Sequence, residues 1–136
     1  MKEAKEAILA SQNYGVVSID LPLISNLSLF ENIELVVNYH YKKKFDIDAF
    51  FAKLELADSS TKREPNITTY ERFMTMFLRA LAFSDKLLLY RPFSLLPEFG
   101  SFSEIDEILY RSEIRADITI FDFESNRSRY KADDER

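Results

Sequence analysis

Few side chains of the sequence have the types and spacing that chemistry needs. Asp46 and Asp48 could bind a cation together, but either carboxylate also suits the N-cap of a following helix, which is the more common use of such a residue. His40 is the only histidine, whereas a metal site needs three or four converging ligands. Arg91, next to Tyr90, could bind an anion or pair with a neighbouring carboxylate. These residues alone predict no catalytic centre and no metal site.

Glycine and cysteine usage restricts the chemistry further. The chain has two glycines, Gly15 and Gly100, and contains neither a GxxxxGK[ST] nor a GxGxxG motif. Phosphate-binding loops need several glycines, because the backbone turns tightly and approaches the phosphate closely. There are no cysteines, so disulfides and thiolate metal sites are excluded. The sequence therefore predicts no nucleotide cofactor.

Composition predicts one folded domain that binds neither nucleic acid nor the membrane interior. The 136 residues are 46% hydrophobic and carry a net charge of −5. A nucleic-acid surface would need clustered Lys and Arg, and no apolar run approaches the roughly 20 residues of a membrane span. The N-terminal stretch lacks the apolar segment of a signal peptide. We expect a cytoplasmic location, at the inner face of the membrane when a partner holds the chain there.

Capping signals and apolar periodicity predict helices and strands in alternation. Ser28 with Glu31, and Thr68 with Glu71, are spaced as capping boxes at helix N-termini. Residues 86–90, KLLLY, form the continuous apolar run of a strand that is buried on both faces of a parallel sheet. The predicted elements are helices at 2–12, 29–44, 47–57, 69–83 and 103–113, and strands at 14–19, 86–90 and 117–121.

Strands separated by helices pair in parallel through right-handed crossovers. The sequence thus predicts an α/β fold, in which residues 1–123 form a single domain. Residues 28–83 would supply a helical subdomain and the long helix after it. Residues 124–136 are mostly charged and are expected to be a flexible tail.

Two stretches resemble the ATP-binding subunits of ABC transporters. Residues 27–33, LSLFENI, resemble the helix start that follows the Q-loop in that family. Residues 79–98, RALAFSDKLLLYRPFSLLPE, resemble the end of its signature helix running into the Walker B strand. The resemblance covers most of the chain, and the lipid-transport and cell-division subgroup is the most similar. It implies a three-stranded parallel sheet from a partial P-loop ATPase core, with an inserted helical subdomain.

The residues that carry the family's chemistry are replaced wherever the resemblance aligns them, and no Walker A segment is present. The aligned positions are Ile19 for the Q-loop Gln, residues 67–71 (ITTYE) for the signature, Tyr90 for the Walker B Asp, Arg91 for the catalytic Glu, Pro97 for the Asp of the following loop, and residues 121–123 for the switch His. Phosphoryl transfer consists almost wholly of positioning and electrostatic stabilisation. The resemblance with these replacements implies a chain that is not an enzyme.

In the family, the region after the Q-loop and the helical subdomain receive the coupling helix of a membrane permease. The resemblance therefore implies an accessory or regulatory module that binds a permease or a true ATPase subunit through residues 19–35 and the helical subdomain. The residues expected to contact that partner are Leu21, Leu23, Leu27, Leu29, Phe30, Glu31 and Asn32.

Two alternatives remain open. One is a self-contained homo-oligomer without a transporter. The other is an ATPase completed by the Walker A segment of a second chain, although Tyr90 and Arg91 would still occupy its metal site.

The strand at 117–121 would lie at an edge that the family fills with its Walker A strand. An uncovered apolar edge invites pairing or aggregation. We therefore expect a second copy, a partner protein or the helix at 2–12 to cover it, and a homodimer is the preferred solution.

Overall fold

A computed structural model describes residues 13–40 and 45–130 of the chain. The predicted helix at 2–12, residues 41–44 of the helix predicted over 29–44, and residues 131–136 of the predicted tail lie outside the described residues. The elements are β1 (Gly15–Val17), α1 (Leu29–His40), α2 (Ile47–Lys53), a 3-10 segment (Ala57–Ser59), α3 (Thr69–Phe83), β2 (Lys86–Tyr90), α4 (Pro92–Leu95), α5 (Phe102–Arg111), β3 (Asp117–Phe121) and a second 3-10 segment (Glu124–Arg129).

The sheet has three parallel strands in the order β1-β2-β3. The predicted parallel pairing and the central position of residues 86–90 are confirmed, and so is the α/β class. In β2, Leu87 and Leu89 are fully buried on one face, while Leu88 and Tyr90 are 3% and 4% exposed on the other. This burial on both faces explains why the strand reads as an unbroken apolar run.

The first strand is shorter than the predicted 14–19, because the chain turns directly after Val17. The N–H of Leu21 donates to the Ser18 carbonyl at 3.0 Å, and the N–H of Asp20 donates to the Ser18 hydroxyl at 3.1 Å. Ile19 therefore lies in a turn and is exposed. The loop that joins β1 to α1 begins at this turn.

The long helix α3 is the centre of the packing. Phe73, Phe77 and Leu78 are fully buried, as expected of a helix that is apolar around most of its girth. The helix packs against α1 and β1. It approaches β1 so closely that a Cβ on Gly15 would lie 2.2 Å from the Ala80 carbonyl oxygen. The lack of a side chain at Gly15 is what lets the helix and the strand meet.

The helical insertion differs from the prediction at one boundary. Asp46 caps α2, since its side chain accepts a hydrogen bond from the N–H of Ala49 at 3.0 Å, which confirms the cap interpretation for this aspartate. The helix ends at Lys53 instead of 57, because Glu55 adopts the left-handed backbone conformation with a φ of 60°. That conformation cannot continue a right-handed helix.

Residues at the start of the predicted tail contact the domain. Residues 124–129 form the second 3-10 segment, and Tyr130 packs its ring on Phe93 and Phe102, with centroids 5.4 and 5.7 Å away. Its hydroxyl donates to the Asp122 carboxylate. Burial and this negatively charged acceptor raise the pKa of Tyr130. Arg129 adds hydrogen bonds to the Gly100 and Phe99 carbonyls and stacks over the Phe93 ring.

Candidate protein-docking groove

A groove of about 410 Å³ opens beside β1, between the loop that follows it, α1 and α3. We call it the β1 groove. Ten residues line it: Gly15, Val16, Asp20, Leu21, Pro22, Ile24, Val36, Arg79, Ala80 and Phe83. Most of these side chains are apolar, as in surfaces that receive a partner's apolar residues.

Asn32 fixes the loop that forms one wall of the groove. This side chain, 2% exposed, accepts a hydrogen bond from the N–H of Ile24 at 2.8 Å. Its amide group donates to the carbonyls of Ile24 at 3.1 Å and Ser28 at 3.0 Å, with a longer contact of 3.4 Å to that of Leu27. One asparagine thus replaces the hydrogen bonds that a loop of this kind would otherwise make with water.

Arg79 holds the other end of the same loop from the side of α3. Its guanidinium donates to the carbonyl of Pro22 at 2.9 Å and to that of Leu21. Burial lowers the pKa of Arg79. The fork of the guanidinium reaches two successive carbonyls, which a lysine with its single ammonium group does less well.

The fixed loop presents three apolar side chains to solvent. Ile19, Leu21 and Ile24 are 55%, 48% and 47% exposed. Leu21 and Ile24 line the β1 groove, and Ile19 lies in the turn just before them. Three large exposed apolar residues within six positions, beside a backbone that side-chain hydrogen bonds from Asn32 and Arg79 hold in place, are typical of a binding surface.

The structure divides the predicted partner-binding residues into two groups. Leu23, Leu29 and Asn32 are buried, at 6%, 1% and 2% exposure, and hold the loop and helix together instead of forming a surface. Of the others, Leu21 is exposed and Leu27, Phe30 and Glu31 are half-buried.

Ile24 lies within the predicted partner-binding range 19–35, whereas Val36 and Arg79 were missed as parts of the groove. Val36 and Arg79 gave no signal in the sequence, because their position beside the loop depends on how α1 and α3 pack.

Both predicted capping boxes are confirmed. At the start of α1, the N–H of Glu31 donates to the Ser28 hydroxyl at 3.1 Å, and the N–H of Ser28 donates to the Glu31 carboxylate at 2.8 Å. These bonds, first the one from the Ser28 backbone, lower the pKa of Glu31, and Arg63 adds a contact at 3.3 Å. The Glu31 carboxylate therefore already has hydrogen-bond and ion-pair partners within the chain.

The stretch that aligns with the signature is built around a buried carboxylate. Glu71 closes the capping box with Thr68, whose N–H donates to it at 2.7 Å, and it accepts from the Ser59 hydroxyl and from the Lys62 ammonium at 3.2 Å. Burial by itself would raise the pKa of Glu71, but these donors outweigh it and lower the pKa to about 2. The carboxylate points into the fold, toward the 3-10 segment at 57–59.

The two positions that align with the Walker B acid and the catalytic base lie at the end of β2. Tyr90 is 4% exposed. Arg91 has a left-handed backbone, with a φ of 51°, and its guanidinium lies over the Phe123 ring at 4.2 Å. Its N–H donates to the Phe121 carbonyl at 2.7 Å, which ties β2 to β3. This stacking on an aromatic ring is a contact that the sequence did not predict for Arg91, and no ion pair within the described residues joins Arg91 to a carboxylate.

Nothing in the described ranges groups three or more His, Asp or Glu side chains in a way that could hold a metal ion. Across those same ranges, no helix is both long enough and apolar enough to cross a membrane. Comparison of the sequence with protein-family models and with curated proteins gives no match.

Proposed function

We propose that this chain is a reduced ABC-ATPase-like domain that binds a partner protein and catalyses no reaction. The partner is a membrane permease, whose short amphipathic helix lies in the β1 groove as a coupling helix does in the family that the sequence resembles. The strand order β1-β2-β3 and the helical insertion between β1 and β2 agree with this proposal. A true ATPase subunit is the other partner that the resemblance implies.

The proposal rests on the loop that forms one wall of the β1 groove, because side chains of two helices hold its backbone in place. Asn32 and Arg79 hold the backbone of residues 21–24 from two helices, while Leu21 and Ile24 stay exposed. A preset backbone lowers the entropy that binding costs. A groove that presents apolar side chains on such a backbone fits the apolar face of a helix.

The absence of catalysis is supported by what the aligned positions do in the fold. Tyr90 offers a buried ring where an ATPase needs a carboxylate near Mg²⁺, and Arg91 puts a cation where the attacking water is polarised. The Glu71 carboxylate accepts hydrogen bonds from Ser59, Lys62 and Thr68 within the chain. The contacts that these positions make within the chain support a non-catalytic role for the scaffold.

The proposal is tested by affinity capture from detergent-solubilised membranes of the source cells, with identification of the captured proteins. Ile24→Asp places a charge on the loop wall of the groove, where it should abolish capture of an integral membrane protein. Leu35→Asp is the matched control, because Leu35 is 54% exposed on α1 and does not line the groove. Both variants should unfold at the temperature of the wild type.

Capture of a permease by the wild type and by Leu35→Asp, with at least a tenfold loss for Ile24→Asp, supports the proposal. Equal loss in both variants would place the binding surface elsewhere. Capture of no membrane protein by the wild type would contradict the proposed function.

A further inference from the structure

The outer edge of β3 carries two pairs of backbone groups without partners in the described part of the chain. Asp117 donates to the Asp85 carbonyl at 2.8 Å, and Phe121 accepts from the N–H of Arg91 at 2.7 Å, so both residues point their backbone groups at β2. Alternate residues of a parallel strand point the same way. The N–H and C=O groups of Ile118 and Ile120 therefore point away from the sheet.

A surface of mixed apolar and charged residues continues from this edge onto α5. A groove of about 410 Å³ runs between β3 and α5, with Ile118 and Arg115 on one side and Tyr110, Leu109, Asp106 and Glu107 on the other. Tyr110 is 82% exposed, more than any other large apolar or aromatic side chain of the described residues. The edge and the helix beside it thus form one face that no residue of the described ranges covers.

We propose that β3 pairs in antiparallel fashion with β3 of a second copy of this chain, about a two-fold axis at Thr119. The two sheets then join into one sheet of six strands. Ile118 of each copy lies opposite Ile120 of the other, and the four outward-pointing residues exchange four backbone hydrogen bonds. This inference concerns the edge opposite the β1 groove and does not depend on the proposed function.

The sequence of β3, DITIF, suits this register. The two isoleucines are placed symmetrically about Thr119, so apolar side chains meet apolar side chains on the face that α5 covers. No carboxylate lies opposite another carboxylate, because Asp117 is level with Phe121 of the second copy. Tyr110 of each copy lies beside the axis on that same face and becomes covered.

The charges at the two ends of the strand also favour a second copy as the occupant. Arg115 forms no ion pair within the described residues. An extension of the proposed register beyond the strand places the Arg115 guanidinium near Asp122 and Glu124 of the other copy, although Glu124 also contacts Arg127 of its own chain. The two-fold axis repeats this contact between opposite charges, so the dimer contains it twice.

Disulfide trapping tests the register, and the lack of any native cysteine makes the background clean. At the axis the two Thr119 residues form a non-hydrogen-bonded pair with Cα atoms about 4.5 Å apart, within the range for a disulfide. Thr119→Cys should form a dimer of twice the 16.0 kDa chain mass under mild oxidation. The control Asp117→Cys is also exposed but lies about 14 Å from its copy, so it should remain monomeric.

A second pair of variants tests the association without oxidation. Thr119→Lys puts two ammonium groups against each other at the axis, and it should convert the dimer into a monomer in sedimentation equilibrium. Asp117→Lys changes the net charge by more yet should leave the dimer intact. Both side chains are exposed, so neither substitution removes packing.

The proposal is wrong if the wild-type chain is monomeric at high micromolar concentration and Thr119→Cys cross-links no faster than Asp117→Cys. Cross-linking only in a mixture of the two cysteine variants would show a register displaced from Thr119, which would also contradict it. Selective cross-linking of Thr119→Cys, with dissociation by Thr119→Lys, supports it.

Discussion

Replacement of Asn32 by Ala tests whether the loop of the β1 groove is preset. Asn32 makes its short bonds to the N–H of Ile24, the carbonyl of Ile24 and the carbonyl of Ser28. Two of these three groups keep other partners in the variant. The Ile24 carbonyl still accepts from the N–H of Leu27 at 3.2 Å, and the Ser28 carbonyl still accepts from the backbone N–H of residue 32 at 3.0 Å.

The group that loses its only partner is the N–H of Ile24. The loss of the partner of a fully buried donor costs about 1–3 kcal/mol; this N–H is only partly buried, but the small cavity at a side chain that is 2% exposed adds to its cost. We expect the free energy of unfolding to fall by about 2 kcal/mol, with faster hydrogen exchange over residues 21–27. Loss of all three hydrogen bonds without compensation would lower the free energy of unfolding further. The measured decrease therefore shows how far the loop rearranges to satisfy the groups that Asn32 leaves.

Urea unfolding and amide exchange measure the two effects. The control is Asn38→Ala, an exposed asparagine on the same helix α1, where Ala should be neutral or slightly stabilising because it is the better helix former. An unchanged urea midpoint for Asn32→Ala, with unchanged exchange at 21–27, would refute the role assigned to this side chain.

Three further outcomes follow from buried contacts. Gly15→Ala should lower the free energy of unfolding by about 3 kcal/mol, because the new Cβ would lie 2.2 Å from the Ala80 carbonyl oxygen. A decrease of less than about 1 kcal/mol, measured by urea unfolding, would contradict this. Glu71 has its pKa lowered from 4.5 to about 2, so it stabilises the fold above pH 4.5 by about 3 kcal/mol and loses this as the pH falls toward 2. Glu71→Gln should flatten that part of the stability profile. The double variant Tyr90→Asp/Arg91→Glu should show no Mg-ATP turnover and a lower melting temperature, since an unpaired buried carboxylate costs several kcal/mol; activity in a phosphate-release assay would count against this.

Local signals in the sequence were sufficient for most of the fold. The run KLLLY predicted the central strand with its observed bounds, and the capping boxes at Ser28 and Thr68 located the starts of α1 and α3. These features depend on residues within one or two turns of each other. The end of α2 was missed because it depends on the left-handed backbone of Glu55, a residue type that carries no signal for that conformation.

The candidate site was less predictable because it depends on contacts between elements. Asn32 and Leu29 were expected at a partner surface, yet both are buried where α1 meets the loop and the core. Whether a residue in the first turn of a helix faces solvent or a neighbouring loop depends on the path of that loop. The contact of Arg79 could not be predicted for the same reason, since the Pro22 carbonyl that it binds lies 57 residues away in the sequence.

Site-specific photo-crosslinking from the β1 groove tests whether a permease binds in that groove. A benzophenone side chain at position 24, on the exposed loop wall, should cross-link to a cytoplasmic helical segment of a membrane permease when the chain is mixed with membranes of the source cells. The same group at position 35, equally exposed on α1 but outside the groove, should give no such product. Two results would contradict permease binding in the β1 groove. One is that the permease cross-links from position 35 and not from position 24, and the other is that no membrane protein cross-links from either position.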